Sequence, residues 1–298
     1  MLTSTIGLIC AIVQLGGNKP ANSPSLVSSE LSFAQRCREV GVRASFMEYF
    51  ADDGIAFKPE PFRYTETVKK LPPQSNPKAI QLEWEPHVAG IAASGELGFT
   101  TGPSVRTDLT AVDKPKSYGQ FFSVWKKQEG GKWRVVVDIG TQMPSQSSSL
   151  GQPCKEPITP TWHQTSEGHS ADVRRSAIMK LEREFGEACV AEGTLKAYIS
   201  RVEDNTRLHR QNQLPIVGRV AIEAHFGKEP PVLSWSPMGS DVSLADDLGY
   251  TYGSYEIKNL PDVSAIEHGY YLHLWKKNAD GEWKLIADIT SPLDEETK

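Results

Sequence analysis

Two aspartates at matched positions are the residues of this sequence best suited to chemistry. Asp138 lies near the end of "WRVVVDIG" and Asp288 near the end of "WKLIADIT", each after a run of apolar residues. A carboxylate among such neighbours must face a cavity, a partner or the mouth of the strand, because burying it unpaired is costly. Facing an apolar pocket would raise the pKa of the carboxyl and suit it to general-base catalysis. The alternative is a structural carboxylate that caps a loop or bonds backbone at the sheet edge.

Donors and aromatic walls for such a site can also be named. His209 could exchange protons near neutral pH, and two tyrosines stand in "GYTYG". Tryptophans at matched positions would suit the walls of an apolar ligand pocket, and they would suit an ordinary core equally well. The expected catalytic set is Asp138, Asp288 and His209, and the expected ligand-binding set is Trp84, Trp125, Trp235, Trp275, Tyr250 and Tyr252.

The geometry of a β-strand predicts where these aspartates point. Successive side chains of a strand alternate between its two faces. Asp138 is therefore expected to share a face with Arg134 and Val136, opposite Val137, and Asp288 is expected to be placed likewise.

The chain carries one pattern twice. "YGQFFSVWKKQEGGKWRVVVDIG", from Tyr118, aligns without a gap with "HGYYLHLWKKNADGEWKLIADIT", from His268, and upstream segments align at nearly the same offset. Agreement in order, spacing and tryptophan positions indicates a duplication, and a Ser/Pro/Thr-rich stretch between the copies is typical of a linker. The expected division is an N-terminal tail at 1–28, domain 1 at 29–143, a linker at 144–171 and domain 2 at 172–293.

Each copy is predicted to begin with helices and to continue as strands. "ADVRRSAIMKLEREFGEACVAEG" repeats apolar residues at three- and four-residue steps, as an amphipathic helix does. A shorter helix is predicted to follow, ending in acidic turns at Asp52 and Asp204. Aromatic and β-branched segments then alternate with hairpin turns such as "KKNADGEW". Helices followed by a meandering antiparallel sheet define an α+β fold.

The leading helix pair, the paired acids and the final "GxxxxxWKKxxxGxW" pattern resemble the SnoaL-like branch of the nuclear-transport-factor-two-like superfamily, which includes ketosteroid isomerase. The resemblance covers both copies. It implies two tandem cone-shaped domains, each a curved antiparallel sheet around N-terminal helices with an apolar pocket, paired as an intrachain pseudo-dimer. The fold transfers no function by itself. The base, tyrosine and protonated acid of ketosteroid isomerase match no complete set of residues in this sequence.

Composition and missing motifs exclude several functions. The net charge of -5 argues against a nucleic-acid partner, and no apolar run reaches the roughly 18 residues that a membrane span needs. Metal, nucleotide and hydrolase motifs are missing, so no cofactor or metal is expected. His268 and His273, an odd number of residues apart, would face opposite sides of one strand and could not share a metal. The expected protein is a monomer with a small-molecule ligand.

The apolar stretch "TIGLICAIVQLGG" leaves two interpretations of the tail open. One is a degenerate or truncated export signal of a periplasmic or secreted protein, and the other is a hydrophobic segment packed on the domain of a cytoplasmic one. Cys37 and Cys189 are expected in helix cores. A Cys10–Cys154 disulfide is expected only if the tail is retained and the protein is exported.

Three functions stay open from the sequence. The first is a binding or accessory protein whose pocket holds a small apolar or aromatic molecule. The second is a metal-free isomerase or dehydratase with an aspartate base, and the third is a structural assembly module. The first is favoured, because no complete catalytic set is common to both copies.

Overall fold

The computed structural model describes residues 25–144, 168–227, 231–258 and 266–293. The proposed export signal, the Cys10–Cys154 pair and most of the linker lie outside these residues. Each half of the described chain folds as helices on a sheet, so the α+β prediction is confirmed. The first half, domain 1, contains α1 (Leu26–Val40), α2 (Val42–Tyr49), β1 (Phe50–Lys58), β2 (Glu60–Arg63), α3 (Tyr64–Val68), β3 (Ile80–Trp84), β4 (Val88–Ile91), β5 (Leu97–Asp108), β6 (Lys116–Lys127) and β7 (Trp133–Met143).

The second half, domain 2, repeats the order of the first. Its elements are α4 (Ala171–Ala191), α5 (Thr194–Ile199), β8 (Val202–His209), β9 (Ile216–Val217), α6 (Arg219–Phe226), β10 (Val232–Val242), β11 (Leu248–Lys258), β12 (Ile266–Lys277) and β13 (Trp283–Pro292).

Serine caps set the starts of the two long helices. The side chain of Ser25 accepts a hydrogen bond from the backbone of Ser28, so α1 begins at Leu26. Between α1 and α2, Gly41 adopts a φ of 89°, and a Cβ there would lie 2.1 Å from the carbonyl oxygen of Pro77. Only glycine fits this connection between the two helices.

The two sheets are mixed rather than purely antiparallel. Their strand orders are β2-β1-β7-β6-β5-β3, with β4 also on β5, and β10-β11-β12-β13-β8-β9. In each sheet the strand that follows the helix pair runs parallel to the last strand of the meander. The acidic turns predicted at Asp52 and Asp204 are therefore wrong, since both residues lie in these strands. These turn-forming residues instead interrupt the pairing of β1 with β7, which is irregular between Phe50 and Ile55.

A β-bulge changes which way Asp138 points. The pairing of β7 with β6 passes directly from Val135 to Val137 and leaves Val136 unpaired. Val135 packs in the core beside the helices, whereas Val137 packs toward the other domain. The face predicted for Asp138, beside Arg134 and Val136, is therefore wrong, because one extra residue reverses the alternation. The same bulge recurs in β13.

The sheets of the two domains pack against each other and form the predicted intrachain pseudo-dimer. One apolar cluster joins the outer faces of both sheets, with Phe122, Val137 and Ile139 from domain 1 and Leu272 and Ile289 from domain 2. Polar contacts flank it, among them the backbone N–H of Ala93 donating to Asp247 at 2.7 Å and the N–H of Leu244 donating to Glu96 at 2.6 Å. Within the described part of the chain, no helix has both the length and the hydropathy needed to cross a membrane.

Candidate functional site

A buried glutamate organises the inside of domain 1. Glu30 of α1 has no solvent exposure. It accepts hydrogen bonds from the indole of Trp84 at 2.5 Å, the hydroxyl of Thr100 at 2.5 Å and the indole of Trp125 at 2.8 Å. Burial raises the pKa of this carboxyl to about 7, although the three hydrogen bonds oppose the rise. Donors from three strands thereby fasten the helix inside the curved sheet.

Domain 2 contains the same arrangement with one exchange. Glu182 of α4 accepts from Thr251 at 2.6 Å and from the indole of Trp275 at 2.9 Å, and its third contact is Nδ1 of His273 at 2.8 Å. The indole of Trp235 lies edge-on to His273 instead of reaching the glutamate. Burial lowers the pKa of His273, but the carboxylates around it dominate and raise it to about 9.

Sequence reasoning missed both glutamates. A glutamate in a helical segment is normally solvated, so neither residue stands out from the local pattern. A usable signal was present: extending the alignment of the two copies toward the N-terminus from Phe33 and Phe185 places Glu30 opposite Glu182. A matched acid beside matched tryptophans is the pattern that a shared buried network leaves in a duplicated sequence.

Asp138 lines a cavity of about 160 Å³ inside domain 1. Four aromatic side chains line it: Phe33, Phe46, Trp84 and Phe121. The hydroxyl of Ser123 donates to the carboxylate at 2.6 Å. Gly140, two residues along the same strand face, is exposed, so the cavity reaches solvent. Burial raises the pKa of Asp138 to about 6, against the smaller opposing effect of Ser123, and the structure gives this carboxylate no cation partner among the described residues.

Asp288 has the opposite environment. Its carboxylate is fully buried and receives both Nη atoms of Arg210, at 3.0 and 2.5 Å, and the hydroxyl of Tyr198 at 2.8 Å. Nε2 of His273 lies 3.3 Å away. Burial would raise the pKa of Asp288, but the charges of Arg210 and His273 hold it far below its usual range. A carboxylate held by two cations is a weak base, so the proton-accepting role proposed for Asp288 has no support in this geometry.

Three exchanges explain why one cone is open and the other is filled. Ser104 of domain 1 corresponds to Tyr255, which is buried against Gly269 in domain 2. The exposed Lys58 corresponds to Arg210, which reaches inward to Asp288. A third, Phe46 to Tyr198, adds a further hydroxyl to the aspartate. Domain 2 therefore fills with side chains the space that domain 1 leaves free.

The other predicted site residues are distributed between core and interface. Of the four tryptophans, Trp84 lines the domain 1 cavity and the rest are buried in the two cores: Trp125, Trp235 and Trp275. Tyr250 and Tyr252 pack in the cluster between the domains. His209 lies there too, with its ring 6.2 Å from that of Phe122, and burial lowers its pKa to about 3.

The remaining predictions concern histidines and cysteines. His273 belongs to the buried network, whereas His268 lines a separate cavity beside Glu256. Cys37 and Cys189 are free and buried on the helices, and burial raises the pKa of the Cys189 thiol to about 12. Among the described residues, no group of three or more His, Cys, Asp or Glu side chains is arranged to hold a metal ion.

The Asp138 carboxyl is expected to titrate near pH 6, well above an ordinary aspartate. Because this pKa is raised in the folded state, the folded chain keeps a proton that the unfolded chain releases near pH 4. The contribution of Asp138 to stability is therefore largest at acid pH and is lost as the pH rises from about 4 to about 6. A ¹³C NMR titration of labelled aspartate carboxyls measures it, with Asp138→Asn assigning the resonance. A midpoint near pH 4 would contradict the cavity environment described here.

The fold and the side chains together define a tandem α+β protein with one open and one filled cone. No family model and no curated protein sequence matches the chain. Among solved structures, an NTF2-like protein of unknown function from Pseudomonas putida KT2440 is 18% identical and matches 43% of this chain and 94% of that one, with a TM-score of 0.35. A ketosteroid isomerase-like protein from Erwinia carotovora atroseptica SCRI1043 is 16% identical over 40% of this chain and 95% of that one, with a TM-score of 0.34.

A third similar structure is an NTF-2 like protein of unknown function from Shewanella oneidensis MR-1. It is 18% identical over 39% of this chain and 98% of that one, with a TM-score of 0.32. These names are those of the superfamily that the sequence resembles, and each match spans about two-fifths of the chain.

Proposed function

We propose that this chain is a small-molecule-binding protein in which domain 1 holds the ligand and domain 2 is its closed structural partner. The observation that carries the proposal is Asp138, a carboxylate without a cation partner among the described residues that lines an aromatic cavity. Ligand pockets combine mostly apolar walls with a few polar groups that orient the ligand. Asp138 supplies the charged polar group here, and Ser104, Gln120 and Thr141 also line the cavity.

The cavity dimensions restrict the ligand to a small molecule. A volume of about 160 Å³ is close to that of an apolar protein cavity known to take up benzene. A carboxylate accepts a hydrogen bond from a hydroxyl, and a protonated carboxyl donates one to a carbonyl. With a pKa of about 6, Asp138 can do either near neutral pH. The proposed ligand is an uncharged single ring with one hydroxyl or carbonyl.

Calorimetric titration with p-cresol and toluene tests this proposal. The two molecules share a ring and a methyl group, and only p-cresol can bond to the carboxylate. We expect p-cresol to bind at least about tenfold more tightly, because a hydrogen bond to a charged group contributes about 1.5–3 kcal/mol. Asp138→Asn should remove most of that difference, and Asp52→Asn, at an exposed position of β1, should not. Equal affinities for the two molecules, or no binding of p-cresol, would refute the assignment.

Proton transfer next to a carbonyl is the second candidate, and it is supported by the same carboxyl. A base works best when its pKa lies near the working pH, and Asp138 is closer to that condition than an ordinary aspartate. Deuterium exchange at the α-carbons of cyclohexanone measures this activity. Catalysis would exceed the buffer rate and fall about 100-fold or more in Asp138→Asn. Exchange at the buffer rate would exclude this activity, and small-molecule binding would remain as the proposed function. The assembly-module alternative has less support, since the outer sheet faces used for pairing cover each other within the chain.

A further inference from the structure

A second cavity, of about 260 Å³, lies between the two domains and is separate from the Asp138 cavity. Strands β4, β5 and β6 of domain 1 form one side, and strands β8, β9 and β11 to β13 of domain 2 form the other. The apolar part of its wall is contributed by Ile91, Phe99, Phe122, Val217, Leu248 and Ile286. This space exists only because the two copies pair, so it belongs to neither cone.

The pseudo-symmetry of the chain supplies a control for this cavity. The matching corner on the opposite side of the interface is closed by an ion pair, with Nζ of Lys126 2.5 Å from Asp241 and Nε of Arg175 3.2 Å from the same carboxylate. Tyr250 is buried beside it, and Tyr252 packs edge-on against Phe57. At that corner the cations are paired with a carboxylate, and tyrosine side chains fill the space.

The open corner lacks the acid that closes its counterpart. The position of Asp241 is taken by Gly90, which is paired with Phe99 as Asp241 is paired with Tyr250. A side chain cannot be added at Gly90, because a Cβ there would lie 2.3 Å from the ring of Phe99. Lys276, the counterpart of Lys126, therefore faces this cavity with no carboxylate from β4.

A second cation lines the same cavity. Arg207 of β8 stands where domain 1 has Ile55, since both pair with matched residues of the last strand. The described residues offer neither Arg207 nor Lys276 a hydrogen bond or an ion pair. Asp204 and Asn205, both exposed, complete the polar side of the lining. Half-buried cations that are unpaired beside apolar walls lose hydration without compensation. A bound anion would compensate for that loss.

We infer that the interdomain cavity binds an apolar molecule carrying one carboxylate, with Arg207 and Lys276 holding the carboxylate and the apolar wall holding the remainder. Guanidinium and carboxylate form paired hydrogen bonds in one plane, and the ammonium of Lys276 adds a second positive charge. Phe99 and Leu248 border the apolar part. An uncharged or cationic molecule of the same shape leaves both cations unpaired and is disfavoured.

Calorimetric titration of the full chain with octanoate, octan-1-ol and octylamine tests this inference. Octanoate is expected to bind, octan-1-ol to bind at least about tenfold more weakly, and octylamine to show no binding. Arg207→Gln and Lys276→Gln should each weaken octanoate binding by about tenfold or more. Lys132→Gln, at an exposed position of the β6–β7 hairpin turn, removes the same charge and should leave binding unchanged. High salt should weaken octanoate binding in the unmodified chain.

Equal binding of octanoate and octan-1-ol, or octanoate affinities in Arg207→Gln and Lys276→Gln that match the unmodified chain, would overturn the inference. Folding of the variants is checked by thermal unfolding, and little change is expected because neither cationic side chain has a partner among the residues that the structure describes. Binding of p-cresol should be unaffected by both substitutions. The interdomain site and the Asp138 site can therefore fail independently.

Discussion

Asp288→Asn is expected to destabilise the protein far more than the same substitution at Asp138. We expect a loss of about 3–5 kcal/mol in the free energy of unfolding, because Arg210 then remains buried without its carboxylate and His273 keeps only Glu182. Asp138→Asn should cost less than about 1 kcal/mol, since no cation in the described part of the chain pairs with Asp138 and the Ser123 hydroxyl can still donate to the amide oxygen. Urea denaturation at pH 7 followed by tryptophan fluorescence measures both.

The pH dependence of this difference has a definite sign. The pKa of Asp288 is depressed in the folded state, so its stabilising effect is present above the unfolded pKa of about 3.9 and is lost as the pH falls through the folded value. The gap between the unmodified chain and Asp288→Asn should therefore be constant near neutral pH and shrink in strong acid. Equal losses for the two substitutions at pH 7 would mean that the two aspartates do not differ in environment.

Ser104→Tyr is expected to close the open cone and remove p-cresol binding. Domain 2 carries a tyrosine at this position, Tyr255, whose ring lies over Gly269, and domain 1 has Gly119 at the matching place. The new ring can therefore occupy the cavity without displacing backbone. To bind, p-cresol would have to displace this ring, and burying a group of this size contributes about 1.5–3 kcal/mol. Affinity for p-cresol should therefore fall by more than about tenfold.

The control for Ser104→Tyr is the same substitution at an exposed site. Ser176 lies on the solvent side of α4 in domain 2, and Ser176→Tyr should leave p-cresol binding unchanged. The folded state of both variants is checked by the cooperativity of thermal unfolding. If Ser104→Tyr folds and binds p-cresol as the unmodified chain does, the ligand site does not lie in the cone of domain 1.

Much of the fold could be predicted because each sequence pattern occurs in both copies of the duplicated unit. The terminal hairpins, with Trp125 and Trp275 at matched sites, and the helix pair before them follow from local pattern. The parallel strand in each sheet could not be predicted, because "ADDG" and "EDNT" are turn-like sequences that become strand only when the last strand pairs with them. The bulge at Val136 likewise depends on pairing and leaves no mark in the sequence.

The site was predicted only in part, for a physical reason. The sequence names Asp138 and Trp84, which both line the domain 1 cavity. The difference between Asp138 and Asp288 depends on Arg210, which follows the neighbouring strand β8 and is distant from Asp288 in sequence. Glu30 and Glu182 resemble surface charges until donors from separate strands surround them. Interactions between residues distant in sequence decide which cone is open, and local pattern does not contain them.

On our proposal, domain 1 has a ligand cavity anchored by Asp138, whereas side chains fill the matched position in the described part of domain 2. A crystal structure of the full chain grown with p-cresol tests it most directly. We expect one p-cresol among Phe33, Trp84 and Phe121, with its hydroxyl within hydrogen-bond distance of Asp138 and with Tyr255 and Arg210 filling the matched space in domain 2. A domain 1 interior closed by its own side chains, or p-cresol bound beside Asp288, would contradict it.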